Sequence, residues 1–336
     1  MTRGNIAKVL LPLLLGGAIL YWMYRDFDWQ AVGHVLREEM GWEWMLLSMP
    51  FGVSAQLLRG WRWQQLLHPM GQKARLHVLV HAVFLSYASS LVIPRVGEFL
   101  RCGILTRYEG TPFPKALGTV VTERAIDTLM VGLVGAGTLL FQMSAFGSFF
   151  RKTGMSVETM LHSFSWTGYA VTLVCLAAIG VLGFLLLRRL AVYRHIVDVL
   201  RSLWEGISSV RQVENIPLFV LLTLGIWGSY FLHFFLTFYC FGETATLGVG
   251  CAMVCFVVGS IAVIVPTPNG AGPWHFAVKT MLILYGVSDP TALHFVLIVH
   301  TLQTLLLVLL GIWAWAALGL TRKNTQTLPE DATNTL

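Results

Sequence analysis

Residues 290–320 run without a single Asp, Glu, Lys or Arg. About 20 such residues carry a helix across the hydrocarbon core of a bilayer, where a helix satisfies its own backbone groups and irregular chain does not. Apolar runs of similar length, some carrying a few charges, recur at 5–24, 42–59, 117–143, 166–187 and 217–241. A chain built this way is expected to be an all-α polytopic membrane protein with about six full spans. Composition agrees: the 336 residues are 56% hydrophobic and 12% charged, with a mean hydropathy of +0.69, against roughly 45–50% apolar and 25% charged in soluble domains.

The formal charge of +6 does not point to nucleic acid, because the basic residues sit at the ends of apolar segments, where membrane orientation accounts for them. Arg3 and Lys8 precede the first run, which ends in the bulky, charged YWMYRDFDW without a cleavage site, so an uncleaved first helix is expected. Cytoplasmic loops are enriched in Lys and Arg. Loop 59–75, with Arg59, Arg62, Lys73 and Arg75, segment 95–115, and the run carrying Arg188, Arg189, Arg194, Arg201 and Arg211 are therefore assigned to the cytoplasm, with both termini. Arg151 and Lys152 fall outside on this layout. The five cysteines lack the spacing of a disulfide framework or a zinc site and read as packing residues. No metal or cofactor is expected: HVLVH places His77 and His81 at i,i+4 without a zinc-protease glutamate, and no nucleotide or nucleophile motif is present.

Two apolar stretches are interrupted. Segment 76–107 breaks at Pro94, and segment 244–285 breaks at IVPTPNGAGPWHF, residues 264–276. If each enters and leaves on one side, the charge layout holds. Each break follows a span (42–59 or 217–241) and precedes another, at matching distances, while the two units face opposite ways. That outlines an inverted repeat with two oppositely oriented re-entrant hairpins, whose Gly/Pro-interrupted segments point to a transport site.

Around the first break, Arg95, Glu98 and Arg101 recur every three residues, and Gly97 permits close backbone approach. The next span opens with Glu123, Arg124 and Asp127, which at membrane depth face the bundle interior. These groups either pair among themselves or share a headgroup site, and arginine suits phosphate because its planar fork bonds two oxygens. In the second break Asn269, Gly270 and Gly272 end one half-helix and Pro273 starts the next, whose N-terminus is a ready anion site. His275 and Lys279, at i,i+4, add donors. His233, His294 and His300 read as packing or hydrogen-bonding residues.

PRVGEFLR, TVVTERAID and PTPNGAG, in that order, resemble the lysylphosphatidylglycerol synthase transmembrane-region family, the flippase-like domain also found at the N-terminus of the multiple peptide resistance factor. The resemblance spans roughly the first helix to the last. It implies movement of aminoacylated phosphatidylglycerol from the inner to the outer leaflet, after a separate enzyme domain attaches the amino acid. The family's Arg and Gly-Glu match Arg95, Gly97 and Glu98; its Glu-Arg and following Asp match Glu123, Arg124 and Asp127. Pro94 and Arg95 are adjacent here where many members carry a residue between them. Asn269 and His275 stand where the family pattern has Gly and Glu, and losing an acid argues against a cationic lysyl headgroup.

The expectation is a single flippase-like domain over 1–321 with a short polar cytoplasmic tail, 322–336, and no room for a synthase domain. It would be a non-enzymatic lipid translocator of a bacterial inner or plasma membrane, in which Arg95, Arg101 and Arg124 hold the headgroup phosphate and 266–279 receives the headgroup. A separate lipid-modifying enzyme and a second copy of the chain are candidate partners. The alternatives are a transporter of a small hydrophilic anion and a membrane scaffold that docks an enzyme on its basic loops.

Overall fold

The computed structural model describes residues 20–21, 29–142, 209–265 and 267–322. Most of the expected span 5–24, the whole span 166–187, the basic run from Arg188 to Arg201, Pro266 and the tail beyond Arg322 lie outside the described residues. Among the described residues every regular element is helical.

A short helix α1 (Trp29–His34) leads through a π-turn into α2 (Trp42–Leu67), and α3 (Leu76–Ser90) and α4 (Val96–Glu109) form a hairpin before α5 (Phe113–Phe141). The pattern then repeats. Helix α6 (Ile216–Phe235), extended by a 3₁₀ turn to Cys240, and the short α7 (Gly242–Ala245) precede a hairpin of α8 (Val249–Ala262) and α9 (Pro273–Leu284), followed by α10 (Asp289–Leu320). Helix α5, segment Ile216–Cys240 and α10 are long and apolar enough to cross a membrane. Helix α2 has the length, at 26 residues, but its second half carries Gln56, Arg59 and Arg62. This corrects the expected loop 59–75: the helix runs eight residues past Arg59, and both arginines are buried within it.

Equivalent helices match in size: α3 and α4 have 15 and 14 residues, α8 and α9 have 14 and 12. The contacts exchange as well. Helix α2 packs on α6, α3 packs on α10, and α8 packs on α5. Along α2, Ser48, Arg59 and Arg62 meet His233, Tyr230 and Thr223 in turn, so α2 and α6 run antiparallel. The two units therefore start in opposite directions from a shared central helix pair.

Between lipid-soluble helices there is little hydrophobic gain from association, so close packing of small residues matters more. A Cβ on Gly60 would sit 2.7 Å from Val80, and one on Gly311 would collide with Ala88. Within the first hairpin, a Cβ on Gly97 would collide with the Ser86 carbonyl, so glycine there sets how closely α3 and α4 approach. The largest apolar cluster joins α2, α6, α8, α9 and α10 around Phe238 and Phe295, whose rings are 5.2 Å apart.

Candidate functional site

Four arginines and three carboxylates meet where α2, α4 and α5 converge. Asp127 is gripped on both oxygens by α2: Arg59 Nη1 donates at 2.7 Å and Arg62 Nη2 at 2.8 Å. Arg101 Nη1 donates to Glu123 Oε2 at 2.5 Å, and its guanidinium lies 4.8 Å over the Trp63 ring. Arg59, Arg62, Arg101, Glu123 and Asp127 are all buried. A charge taken out of water is tolerable only when paired and hydrogen-bonded, which explains why all five occupy one network. Arg124 and Glu98 close it at 2.8 Å with side chains 40% and 31% exposed, so this end is the accessible one. Four guanidiniums against three carboxylates leave the cluster one positive charge in excess.

The network reaches deeper through α6. Arg59 Nε donates to the Tyr230 hydroxyl at 3.3 Å, and the Tyr230 and Tyr87 hydroxyls are 3.1 Å apart.

The tips of the two hairpins meet. Exposed Arg95, at φ 64, sends its Nη2 to the Ile264 carbonyl of the second tip at 3.1 Å. Among the described residues only Arg95 and Asn269 are non-glycines with positive φ, one at each tip. An L residue in the left-handed region costs roughly 1–2 kcal/mol, least for Asn. Asn269 is held there by Nδ2 donating to Thr304 Oγ1 at 2.8 Å and by His300 Nε2 against its carbonyl at 3.1 Å. Gly270 (φ 73) and Gly272 (φ 92) take the remaining left-handed positions of the turn. At the start of α9, the Gly272 amide donates to His275 Nδ1 at 3.4 Å.

Two cavities flank Asn269 and His300, which line both. The outer one, about 680 Å³, lies between the tips, with Leu91 from the first and Asn269 and His275 from the second. The inner one, about 200 Å³, lies against α2 and α6 and is lined by Gln56, Tyr87 and Tyr230, among others.

The residues singled out in the sequence thus divide three ways. Glu98, Arg101, Glu123, Arg124 and Asp127 join one network, while Arg95, Asn269, Gly270, Gly272 and His275 shape the tips and the outer cavity. Lys279 is in neither group and pairs with Asp289 at 2.9 Å. Sequence reasoning missed Arg59, Arg62, Gln56 and the tyrosines. The signal was present, since Gln56, Arg59 and Arg62 recur every three residues on a helix that never stops.

A family model described as "Lysylphosphatidylglycerol synthase TM region" matches residues 9–311. No curated protein and no solved structure matches the chain.

Proposed function

Because the chain belongs to the lysylphosphatidylglycerol synthase TM region family, we propose that it is a membrane lipid translocator, moving a phospholipid or modified phospholipid between the leaflets of the cell membrane. The observation that carries this reading is the meeting of the two hairpin tips, through Arg95 and Ile264, beside the outer cavity. The hairpin arms, of 12 to 15 residues, reach about 18–23 Å at the helical rise, short of a hydrocarbon core of ~30 Å. We read them as re-entrant from opposite sides in an inverted repeat, with both termini cytoplasmic. Irregular backbone at that depth is tolerated where protein or a water-filled cavity satisfies it, and here Arg95 and His300 meet the carbonyls of Ile264 and Asn269.

In this mechanism the lipid phosphate is drawn to Arg95 and Arg124, the exposed guanidiniums, while the acyl chains stay in the bilayer. Arg101, buried against Glu123 and Trp63, holds α4 to α5 and acts on the phosphate only through the excess charge of the network. The test is reconstitution of the full chain into liposomes with fluorescent short-chain phospholipid and a quencher that reaches one leaflet. Lipid movement above protein-free liposomes, reduced by Arg124→Gln and by Arg95→Ala, is the expected result. Folded protein that moves no lipid would overturn the proposal.

A further inference from the structure

The second tip is closed by an imidazole at a position where helix starts often carry Glu or Gln. His275 is the third residue of α9, and its Nδ1 accepts from the Gly272 amide at 3.4 Å, the back-reaching half of a capping box. A carboxylate or amide oxygen accepts there across the neutral range, whereas an imidazole nitrogen accepts only while it carries no proton. The His300 ring lies 4.4 Å from that of His275, centre to centre, and its Nε2 is 3.1 Å from the Asn269 carbonyl. A carbonyl only accepts and an amide only donates, so these backbone partners fix both rings: His300 carries a proton on Nε2, and His275 carries none on Nδ1. Protonating His300 therefore keeps its bond. Protonating His275 at Nδ1 sets two donors face to face and adds a cation at the positive end of α9.

The surroundings give that cation no counter-ion. Both rings line the outer cavity, and no Asp or Glu is among its described lining residues. Helix α10 brings His300, His294 and Asp289, and Asp289 is paired with Lys279 of α9 itself. Helix α8 also packs on α9, with the thiols of Cys251 and Cys255 and no charged group. Around the two cavities stand Tyr230 and His233 of α6, Tyr87 of α3 and Tyr21, while Arg95 of the first tip is turned to the Ile264 carbonyl. The closed turn and a proton on His275 Nδ1 are thus alternatives.

We propose that His275 is a proton-binding site that gates the second tip: the neutral ring holds the turn from Asn269 to Pro273 closed, and a proton on Nδ1 releases the Gly272 amide and lets the turn open. The gate rests on the geometry of the turn; its bearing on lipid movement rests on the translocator reading. Because the proton binds the open turn and not the closed one, acid favours opening. Closure is complete above the ordinary imidazole value of about 6.5 and is lost progressively below it.

The test is hydrogen exchange of the full chain in phosphatidylcholine nanodiscs at about pH 5.5 and about pH 7.5, either side of that value, with each rate divided by the intrinsic rate of its amide. The amides of Gly270, Ala271, Gly272 and Phe276, all bonded within residues 267–276, should lose protection about tenfold in acid. His275→Gln keeps an acceptor that does not titrate, so its protection should be the same at both pH values. His300→Gln keeps a donor for the Asn269 carbonyl and should retain the wild-type dependence. Wild-type protection along α5 checks that each variant is folded. Equal protection of the wild-type turn at the two pH values overturns the gate without any variant, as does a dependence that survives His275→Gln or is lost with His300→Gln. Liposome assays separate the two levels. A pH-gated turn in protein that moves no lipid supports the gate and sinks the translocator, whereas lipid movement with a pH-independent turn sinks the gate alone.

Discussion

Asp127 joins two guanidiniums of one helix to the carboxylate of another, with Arg59 and Arg62 taking one oxygen each. Asp127→Ala leaves both arginines buried without their shared counter-ion, and breaking a buried pair costs about 3–5 kcal/mol. A clear drop in the unfolding temperature of detergent-solubilised protein is expected, larger than for Asp127→Asn, which keeps the shape and one acceptor oxygen. Equal unfolding temperatures for wild type and Asp127→Ala would show that the guanidiniums find other partners. At the opposite edge, Glu243 caps α10: it accepts the Ser288 amide at 2.7 Å, the Ser288 hydroxyl at 2.8 Å and the Thr291 hydroxyl at 2.7 Å. These bonds, the amide first, hold its pKa below the ordinary glutamate value. With the folded value depressed, its stabilisation is complete above the ordinary value of about 4.3 and is lost as pH falls through the folded one. Hydrogen exchange at the first turn of α10 should therefore be slower in wild type than in Glu243→Gln at neutral pH, and the two should converge in acid. A constant difference down to the lowest accessible pH would rule out the carboxylate as the cause.

Among the elements, the first hairpin depends on a single glycine. Gly97→Ala drives a methyl into the Ser86 carbonyl, so the arms must part; overpacking of this kind costs about 1–3 kcal/mol. Gly103 on the same helix has nothing within 4 Å of an added Cβ, and Gly103→Ala should stabilise by about 0.5–1 kcal/mol through helix propensity. Opposite signs for the two substitutions in thermal unfolding are expected, and a loss of equal size in both would deny the tight approach. This hairpin was readable in the sequence because Pro94 and Gly97 punctuate an apolar run, and the same holds for Pro268 to Pro273. The extension of α2 was not. Arg59 and Arg62 resemble the flanking charges that orient a span, and a linear pattern does not reveal that Asp127, 65 residues further on from Arg62, is there to receive them. Arg101 was legible as a charge beside the first break but not as a buried one, since its partners Glu123 and Trp63 come from other helices.

At the scale of the molecule, the two units exchange contacts about the α2–α6 pair, and their tips meet through Arg95 and Ile264. The matched spacing of the two breaks is reflected in the matched order and size of the helices around them. The inner cavity stayed hidden, because it is lined by residues from α2, α3, α6, α10 and the second tip together. If lipid passes between the tips, joining them must stop it. Cysteines at Arg95 and Ile264, bridged by a short bifunctional reagent, should cross-link efficiently and abolish lipid movement, with recovery when a cleavable linker is cut. Full activity in the cross-linked protein would place the route elsewhere. The native connection between these residues is a single guanidinium-to-carbonyl hydrogen bond on an exposed side chain. Bonds to a charged group are worth about 1.5–3 kcal/mol at most on an exposed side chain, where water can take the donor's place. Parting the tips at this point breaks that bond without stranding a buried charge, because the Arg95 side chain already faces outward.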